Sequence, residues 1–511
     1  MLRALWILVF VALGTLPVLA QGPLLPTQPW VLRDPGPFTP ASADWNNGNT
    51  TVTNPTGGGT ISVQHFGVVW YPSNGQGGVL PGPTPYPLIV FAHGRFHTAP
   101  FIGQNHKQAT YLLQHLASWG FMVASVNLDV VGQFGNPAAI PQRGELINKT
   151  VQYFLGNGTY NGFIDFSRIL YIGHSRGGEG VFAAVQQNPA WLGSIRGVGA
   201  IAPTNFQVYG VAIPCFVIYG SQDGDVNNGW PIQLYDQTQS AASQSTILKG
   251  FRYIEGANHF YFTDSITFGS ETNAQLTRAQ HHEISRTLWA TWAFAMLYSD
   301  RPSLVRIAGD TEIQWSAAFK IHRIFYHPRR ITVDDFEQLP ANTGRNTLGG
   351  INTLTGLVSP VENTLSSAIA SSYFHKTRGM NARWATPAKY EADLAADLDV
   401  TGYNYVTANL LQRYQSASNP AGAAQRFHIS VTDALGNQAT LDNTDVSVWP
   451  YPFTAGANGP IKSVLKTFRF PLSAFTTVNP SIQITSLRKV RVDFDITSTG
   501  EFAIDDVAIT Q

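Results

Sequence analysis

The chain has 511 residues with 32 basic and 32 acidic side chains, so no net field draws it towards nucleic acid or an anionic surface. Charged residues make up only 13% and aromatics 12%, a balance that suits a secreted, β-rich protein handling neutral substrates better than a cytosolic signalling protein. The length is enough for two domains.

In chain order, residues 1–20 carry Arg3, then an apolar run from Ala4 to Leu13, and end Val18-Leu19-Ala20 before Gln21. They read as a secretory signal peptide cleaved near Ala20, because Gly14 and Pro17 interrupt the run before it reaches the ~20 apolar residues of a membrane span. The mature chain is therefore expected outside the cell or in the periplasm, with no membrane anchor. Residues 21–60 are rich in Pro, Gly, Asn and Thr, with turn chemistry at Asp44-Trp45-Asn46-Asn47-Gly48, and predict an extended N-terminal arm.

Between residues 61 and 300 apolar runs alternate with helical segments. Strands are predicted at 67–71, 86–91, 121–126, 169–172, 197–201, 215–219 and 251–254, with helices at 111–119, after residue 177 and over 275–298. Continuous apolar runs mark strands buried on both faces, which predicts an α/β domain: a doubly wound, mostly parallel sheet flanked by helices. The single cysteine, Cys215, precludes an internal disulfide and reads as a buried strand residue. After a connecting segment at 301–330, residues 331–511 show short alternating strands, for example 427–432 and 490–496, and a hairpin turn at Asp433-Ala434-Leu435-Gly436-Asn437. That pattern predicts an all-β sandwich.

The chemistry concentrates at Gly173-His174-Ser175-Arg176-Gly177, where a predicted strand runs straight into a small-residue helix. In such a turn a serine is held in a strained conformation above the sheet, and the flanking glycines avoid Cβ clashes. A serine nucleophile needs a base and a carboxylate to orient that base, in the chain order Ser, acid, His, each after a strand. Gly220-Ser221-Gln222-Asp223-Gly224-Asp225 and Glu255-Gly256-Ala257-Asn258-His259 supply them. Ser175 is read as nucleophile, His259 as general base and then acid, and Asp223 as the orienting acid. Asp225 is the alternative acid, and Asp223 is preferred because it stands nearer the strand end. The oxyanion donors are read as the backbone N–H groups of Arg176 and of Arg95, which follows His93-Gly94 after a buried strand. The Arg95 side chain either lines the cleft or solvates its rim. His93 and His174 are read as packing residues. The pair His281-His282 does not present the i, i+4 spacing of a zinc helix and reads as a solvated or partly packed helix face.

With these residues in view, residues 35–300 resemble the α/β-hydrolase superfamily, in particular its cutinase-like polyester hydrolases, chlorophyllases and dienelactone-hydrolase-like esterases. Gly36-Pro37-Phe38, Trp70-Tyr71-Pro72, residues 116–123 and Ile213-Pro214 fall at positions of the secreted polyester-hydrolase pattern. The resemblance places the triad on Ser175, Asp223 and His259. Arg95 and Arg176 depart from it, since the polyester enzymes usually carry an aromatic residue and a methionine there, and their stacking tryptophan would fall near Thr204. Gly-His-Ser-Arg-Gly-Gly is similar instead to the chlorophyllase elbow.

In the second domain Val333-Asp334-Asp335-Phe336-Glu337, residues 466–473 and Phe502-Ala503-Ile504-Asp505-Asp506-Val507 resemble jelly-roll carbohydrate-binding modules. That resemblance implies a structural calcium with oxygen ligands from Glu337 and Asp506, although paired acids at edge strands also serve against aggregation. Tyr403, Tyr405 and Trp449 offer either a sugar-stacking surface or core. Together these readings predict a secreted serine ester hydrolase that needs no cofactor for catalysis and acts on a small or polymeric ester, its second domain contacting a polysaccharide or insoluble surface. An amidase or peptidase on the same triad, and a secreted glycan-binding protein with an inactive hydrolase domain, are the alternatives.

Overall fold

A computed structural model of the chain describes residues 32–82, 84–95, 103–132, 139–187, 190–238, 246–265, 274–310, 313, 315–365, 374–453 and 461–511. The segment read as a signal peptide lies outside them. Strands β1 (Pro40–Thr53) and β2 (Thr60–Pro72) form a long antiparallel pair. There follow β3 (Tyr86–Ala92), α1 (Thr110–Ser118), β4 (Met122–Val126), α2 (Asp129–Gly132), α3 (Ile140–Gly156), β5 (Ile164–His174), α4 (Arg176–Gln187), β6 (Ile195–Ile201) and β7 (Cys215–Gly220). Next come α5 (Trp230–Gln237), β8 (Lys249–Ile254), α6 (Arg278–Leu297), α7 (Arg301–Ala308) and β9 (Ile321–Tyr326).

These strands make one sheet in the order β1-β2-β4-β3-β5-β6-β7-β8-β9, parallel from β4 to β8 and antiparallel at both ends. Every residue of β3, β4, β7 and β8 is buried, as expected of strands covered on both faces. The parallel block aligns the carboxyl ends of β3, β5, β7 and β8 along one edge. All the predicted catalytic residues follow those ends.

Two readings change. Residues 40–53, expected in an arm with a turn at 44–48, form edge strand β1, and the register shift between Asn46 and Asn49 takes up Gly48 at φ 71°. Trp45 anchors that strand: it is buried, stacks on Tyr153 at 4.9 Å, and lies so close over Gly67 that a Cβ there would stand 2.8 Å from its ring. The segment 301–330, expected only to connect, contributes α7 and adds β9 to the sheet.

The remaining chain holds β10 (Arg330–Asp334), β11 (Asn352–Thr355), β12 (Val358–Thr364), β13 (Arg378–Trp384), β14 (Ala388–Leu398), β15 (Tyr405–Gln412), β16 (His428–Asp433), β17 (Gln438–Asp442), β18 (Lys466–Pro471), α8 (Leu472–Val478), β19 (Leu487–Phe494) and β20 (Gly500–Thr510). They form two antiparallel sheets, β12-β13-β20-β15-β18 with β10 on β20, and β11-β14-β19-β16-β17. Met380, Phe468 and Phe502 of one sheet share a core with Tyr390, Val431 and Phe494 of the other. Trp449, weighed as a sugar-stacking residue, is 1% exposed in that core and stands edge-on to Phe427. Tyr405 lies beneath the Arg469 guanidinium at 4.0 Å.

The two halves are joined by more than the chain. Leu365, Leu411 and Leu465 pack into the core of the first half. Phe325 N–H donates to Thr467 Oγ1 at 3.0 Å, Arg469 pairs with Asp310 at 3.0 Å, and buried His375 donates from Nδ1 to Asp236 at 3.0 Å while its Nε2 accepts from Leu465 N–H. No helix among the described residues is long and apolar enough to cross a membrane.

Candidate active site

Between the last residue of β5 and the first of α4, Ser175 adopts φ 55°, a left-handed conformation that costs a non-glycine residue about 1–3 kcal/mol. The neighbouring glycines are required by contact. A Cβ on Gly173 would stand 2.2 Å from the Gly177 carbonyl oxygen, and one on Gly177 would stand 2.2 Å from that of Ala92. The second glycine therefore lets the first turn of α4 pack against the end of β3. Ser175 N–H donates to Ile201 O at 2.8 Å, which ties the turn to the end of β6.

Asp223, in the loop after β7, has no exposed surface, and its two carboxylate oxygens have separate duties. Oδ1 accepts from the backbone N–H groups of Asp225 at 3.1 Å and Val226 at 2.6 Å, while Oδ2 accepts from His259 Nδ1 at 2.8 Å. Gly220 makes room for the histidine loop, since a Cβ there would stand 2.3 Å from the Ala257 oxygen. Gln222 N–H donates to Ala257 O at 2.8 Å and Gly256 N–H to Ser221 Oγ at 2.8 Å, stitching the two loops together. Asp225 addresses the other ring nitrogen: its carboxylate is 3.6 Å from His259 Nε2 and its side chain is 52% exposed. A neutral His259 that donates its Nδ1–H in a hydrogen bond to Asp223 carries its lone pair on Nε2.

His174 brings the serine turn and the histidine together. Its ring centroid lies 4.6 Å from that of His259, and its Nε2–H donates to the His259 carbonyl at 3.1 Å. Burial first, and then the His259 ring, hold His174 well below the usual histidine range, so it stays neutral. His93 donates from Nδ1 to Gly94 O at 2.6 Å and accepts Leu128 N–H at Nε2 at 2.8 Å, and burial lowers its pKa to about 4. His281 accepts Asn258 N–H at 2.9 Å and so supports the loop of His259, while His282 stacks on Tyr111 at 3.5 Å. Cys215 is buried, with its thiol pushed up to about 12.

Arg176 N–H is the first of α4, one of the helix-terminal donors that lack an intrahelical acceptor. Arg95 follows β3, and because Ala92 pairs with Gly173, Arg95 and Arg176 each stand three residues beyond paired positions on adjacent parallel strands.

Two residues at this edge escaped the sequence reading. Arg143, on α3, is 1% exposed and donates from Nη1 to the His93 carbonyl at 3.1 Å, clamping the end of β3. Glu179, fully buried in the first turn of α4, accepts from Thr204 Oγ1 at 2.6 Å, Phe206 N–H at 2.8 Å, Gln207 N–H at 3.0 Å and Tyr209 OH at 2.8 Å. It thereby fixes the 204–209 loop beside the serine, where Thr204 N–H reaches Ser175 O at 3.4 Å. A lone carboxylate in a helix of Gly, Val, Phe and Ala was the available signal, because a buried charge must find donors.

In the second half, Asp506 departs from its expected role as a calcium ligand. The Arg330 guanidinium grips both its oxygens in a buried ion pair, at 2.8 Å for Oδ2. Glu337 accepts Arg378 N–H at 2.8 Å. Among the described residues no group of three or more His, Cys, Asp or Glu side chains is placed to hold a metal. The neighbouring Asp505 is different: its Oδ1 is buried without a hydrogen-bond partner among the described residues, and burial, then Asp506 and Glu337, raise its pKa well above the usual carboxylate range. Beside Glu337, the oxygen left for a hard cation is thus the orphaned Asp505 Oδ1 and not the Arg330-paired Asp506.

No family model matches the chain. Over 206 residues, 40% of its length, it is 24% identical to Cutinase 1 of Thermobifida cellulosilytica and spans 72% of that protein. It is also 24% identical over 206 residues to the cutinase of Thermobifida fusca (strain YX), of which it spans 63%. The chain therefore contains a cutinase-like region, and more than half of its residues lie outside the matched stretch.

Proposed function

We propose that the protein is a secreted ester hydrolase of the α/β-hydrolase type in which Ser175, His259 and Asp223 act as a triad. The observation that carries this reading is the left-handed Ser175 between β5 and α4 at the same sheet edge as a fully buried His259–Asp223 pair 2.8 Å apart. The strand order and the cutinase likeness support it.

In this mechanism His259 Nε2 takes the Ser175 proton as Oγ attacks the ester carbonyl, and Asp223 holds the Nδ1 tautomer and stabilises the imidazolium. The tetrahedral oxyanion is received by the N–H groups of Arg176 and Arg95. His259 then protonates the departing alcohol, and afterwards activates the water that hydrolyses the acyl-enzyme. Hydrolysis of p-nitrophenyl esters from butyrate to palmitate by wild type beside Ser175→Ala and His259→Ala tests this. The expected result is turnover in wild type and a loss of at least about 10³-fold in both variants. Full activity in Ser175→Ala would overturn the assignment.

The calcium ion implied for the second half would be held by Glu337 and Asp505, where its charge would relieve the repulsion among buried acids. Chelation is then expected to lower the thermal midpoint of the full chain and added calcium to restore it. An unchanged midpoint would remove the ion from the account.

A further inference from the structure

Arg176 places a positive charge directly beside the Ser175 turn, and its guanidinium makes neither an ion pair nor a hydrogen bond among the described residues. Arg95 stands beside it by register, three residues past the Ala92–Gly173 pair. Buried Arg143 lies behind both, at the His93 carbonyl. These charges disfavour one another: burial, then Arg95, lowers the Arg176 pKa to about 10, and burial, then Arg176, lowers that of Arg143 to about 9.

The nearby carboxylates are otherwise engaged. Glu179 is saturated by the four donors of the 204–209 loop, Asp223 by His259 and two backbone N–H groups, and Asp129 by Asn105. Asp225 lies at His259 Nε2 and favours the Arg176 charge only from there. A half-buried guanidinium without a partner beside a nucleophile is costly alone and becomes favourable once an anion joins it.

We propose that the site prefers anionic esters, in which a carboxylate carried by the substrate near the scissile bond is received by Arg176 together with Arg95. Guanidinium suits this task because it meets a carboxylate through two parallel N–H donors. The inference rests on the ester-hydrolase reading and deepens it by naming a substrate class. A charged fraction of 13% describes the whole chain, and the expectation of neutral substrates drawn from it and from the aromatic content does not extend to this edge of the sheet.

Three p-nitrophenyl esters of equal chain length test it: the hexanoate, the adipate monoester ending in a carboxylate, and the 6-(trimethylammonio)hexanoate. The readout is the ratio of kcat/KM values, in which any damage common to all three substrates cancels. Wild type is expected to favour the adipate monoester over the hexanoate by about tenfold or more at low salt, with the ratio shrinking as ionic strength rises. Arg176→Gln and Arg95→Gln are each expected to cut that ratio about tenfold. Asp225→Asn, which removes the opposing charge, is expected to raise it, so one pair of variants moves the ratio in opposite directions. A wild-type ratio at or below one, a preference for the trimethylammonio ester, or a ratio indifferent to Arg176→Gln would each overturn the inference while leaving the esterase intact. Absence of Ser175-dependent turnover of all three would remove the ester-hydrolase reading and this inference with it.

Discussion

Two charged groups at the same sheet edge are treated in opposite ways. Asp223, after β7, is wholly buried with each carboxylate oxygen engaged, one by two backbone N–H groups and one by His259. Arg176, after β5, is half-buried with its guanidinium unengaged among the described residues. Charge that is fully satisfied inside the fold orients a neighbour and is finished before substrate arrives. Charge left open at the mouth is available to whatever enters.

The sharpest way to break this contrast is to compare the two aspartates. Asp223→Asn keeps the shape but no longer fixes the His259 tautomer, and is expected to lower kcat about 10³–10⁴-fold. Asp225→Asn, at a side chain 52% exposed, is expected to lower kcat on a neutral ester by less than about tenfold. Equal losses would make the two carboxylates equivalent and dissolve the distinction.

Glu179 extends the satisfied side of the comparison to the 204–209 loop. Removing its carboxylate strands four donors, so Glu179→Ala is expected to shift that loop and cost about 10–100-fold in kcat/KM. Glu179→Gln retains one acceptor oxygen and is expected to recover most of the loss, with KM changing more than kcat. A variant that lowers thermal stability but leaves KM untouched would reduce Glu179 to a purely structural role.

The smallest effect concerns histidines that burial keeps neutral. In the folded chain burial is the main reason that His65 and His106 lie at about 4 and His115 and His281 at about 3. Unfolded, each titrates near 6.5. Between these values the unfolded chain binds more protons, so their contribution is intact above about pH 7 and is lost as pH falls from 6.5 towards 4, by at most about 1.4 kcal/mol per pH unit for each histidine. Urea midpoints at pH 7.5, 6.5, 5.5 and 4.5 should fall in that order. A midpoint that holds or rises between 6.5 and 4.5 would show that these side chains are not held neutral.

The continuous apolar runs were readable because β3, β4, β7 and β8 are covered on both faces, and a strand of that kind leaves no polar alternation to confuse. The serine turn was readable because its glycines answer to local sterics. Strand β1 was not, since an edge strand with one wet face is written in Asn and Thr and resembles a loop. Arg143 and Glu179 gain their meaning from partners 50 and 25 to 30 residues away, which no local pattern reports. The resemblance implied Asp506 as a ligand, and nothing local in the sequence reports that an arginine 176 residues away engages it. The pairing of β15 with β20 shifts register between Thr407 and Asn409, and Asp506 itself takes φ 57°. At that irregularity Asp506 meets Arg330, while Asp505 Oδ1 stays buried without a hydrogen-bond partner among the described residues.

The central claim, that Ser175 is the activated nucleophile, is tested most directly by labelling the full chain with a fluorophosphonate and locating the adduct by peptide mass spectrometry. One adduct on Ser175, absent from Ser175→Ala and formed far more slowly in His259→Ala, is the expected result. An adduct on another residue, or ester turnover that survives with Ser175 unlabelled, would contradict the account.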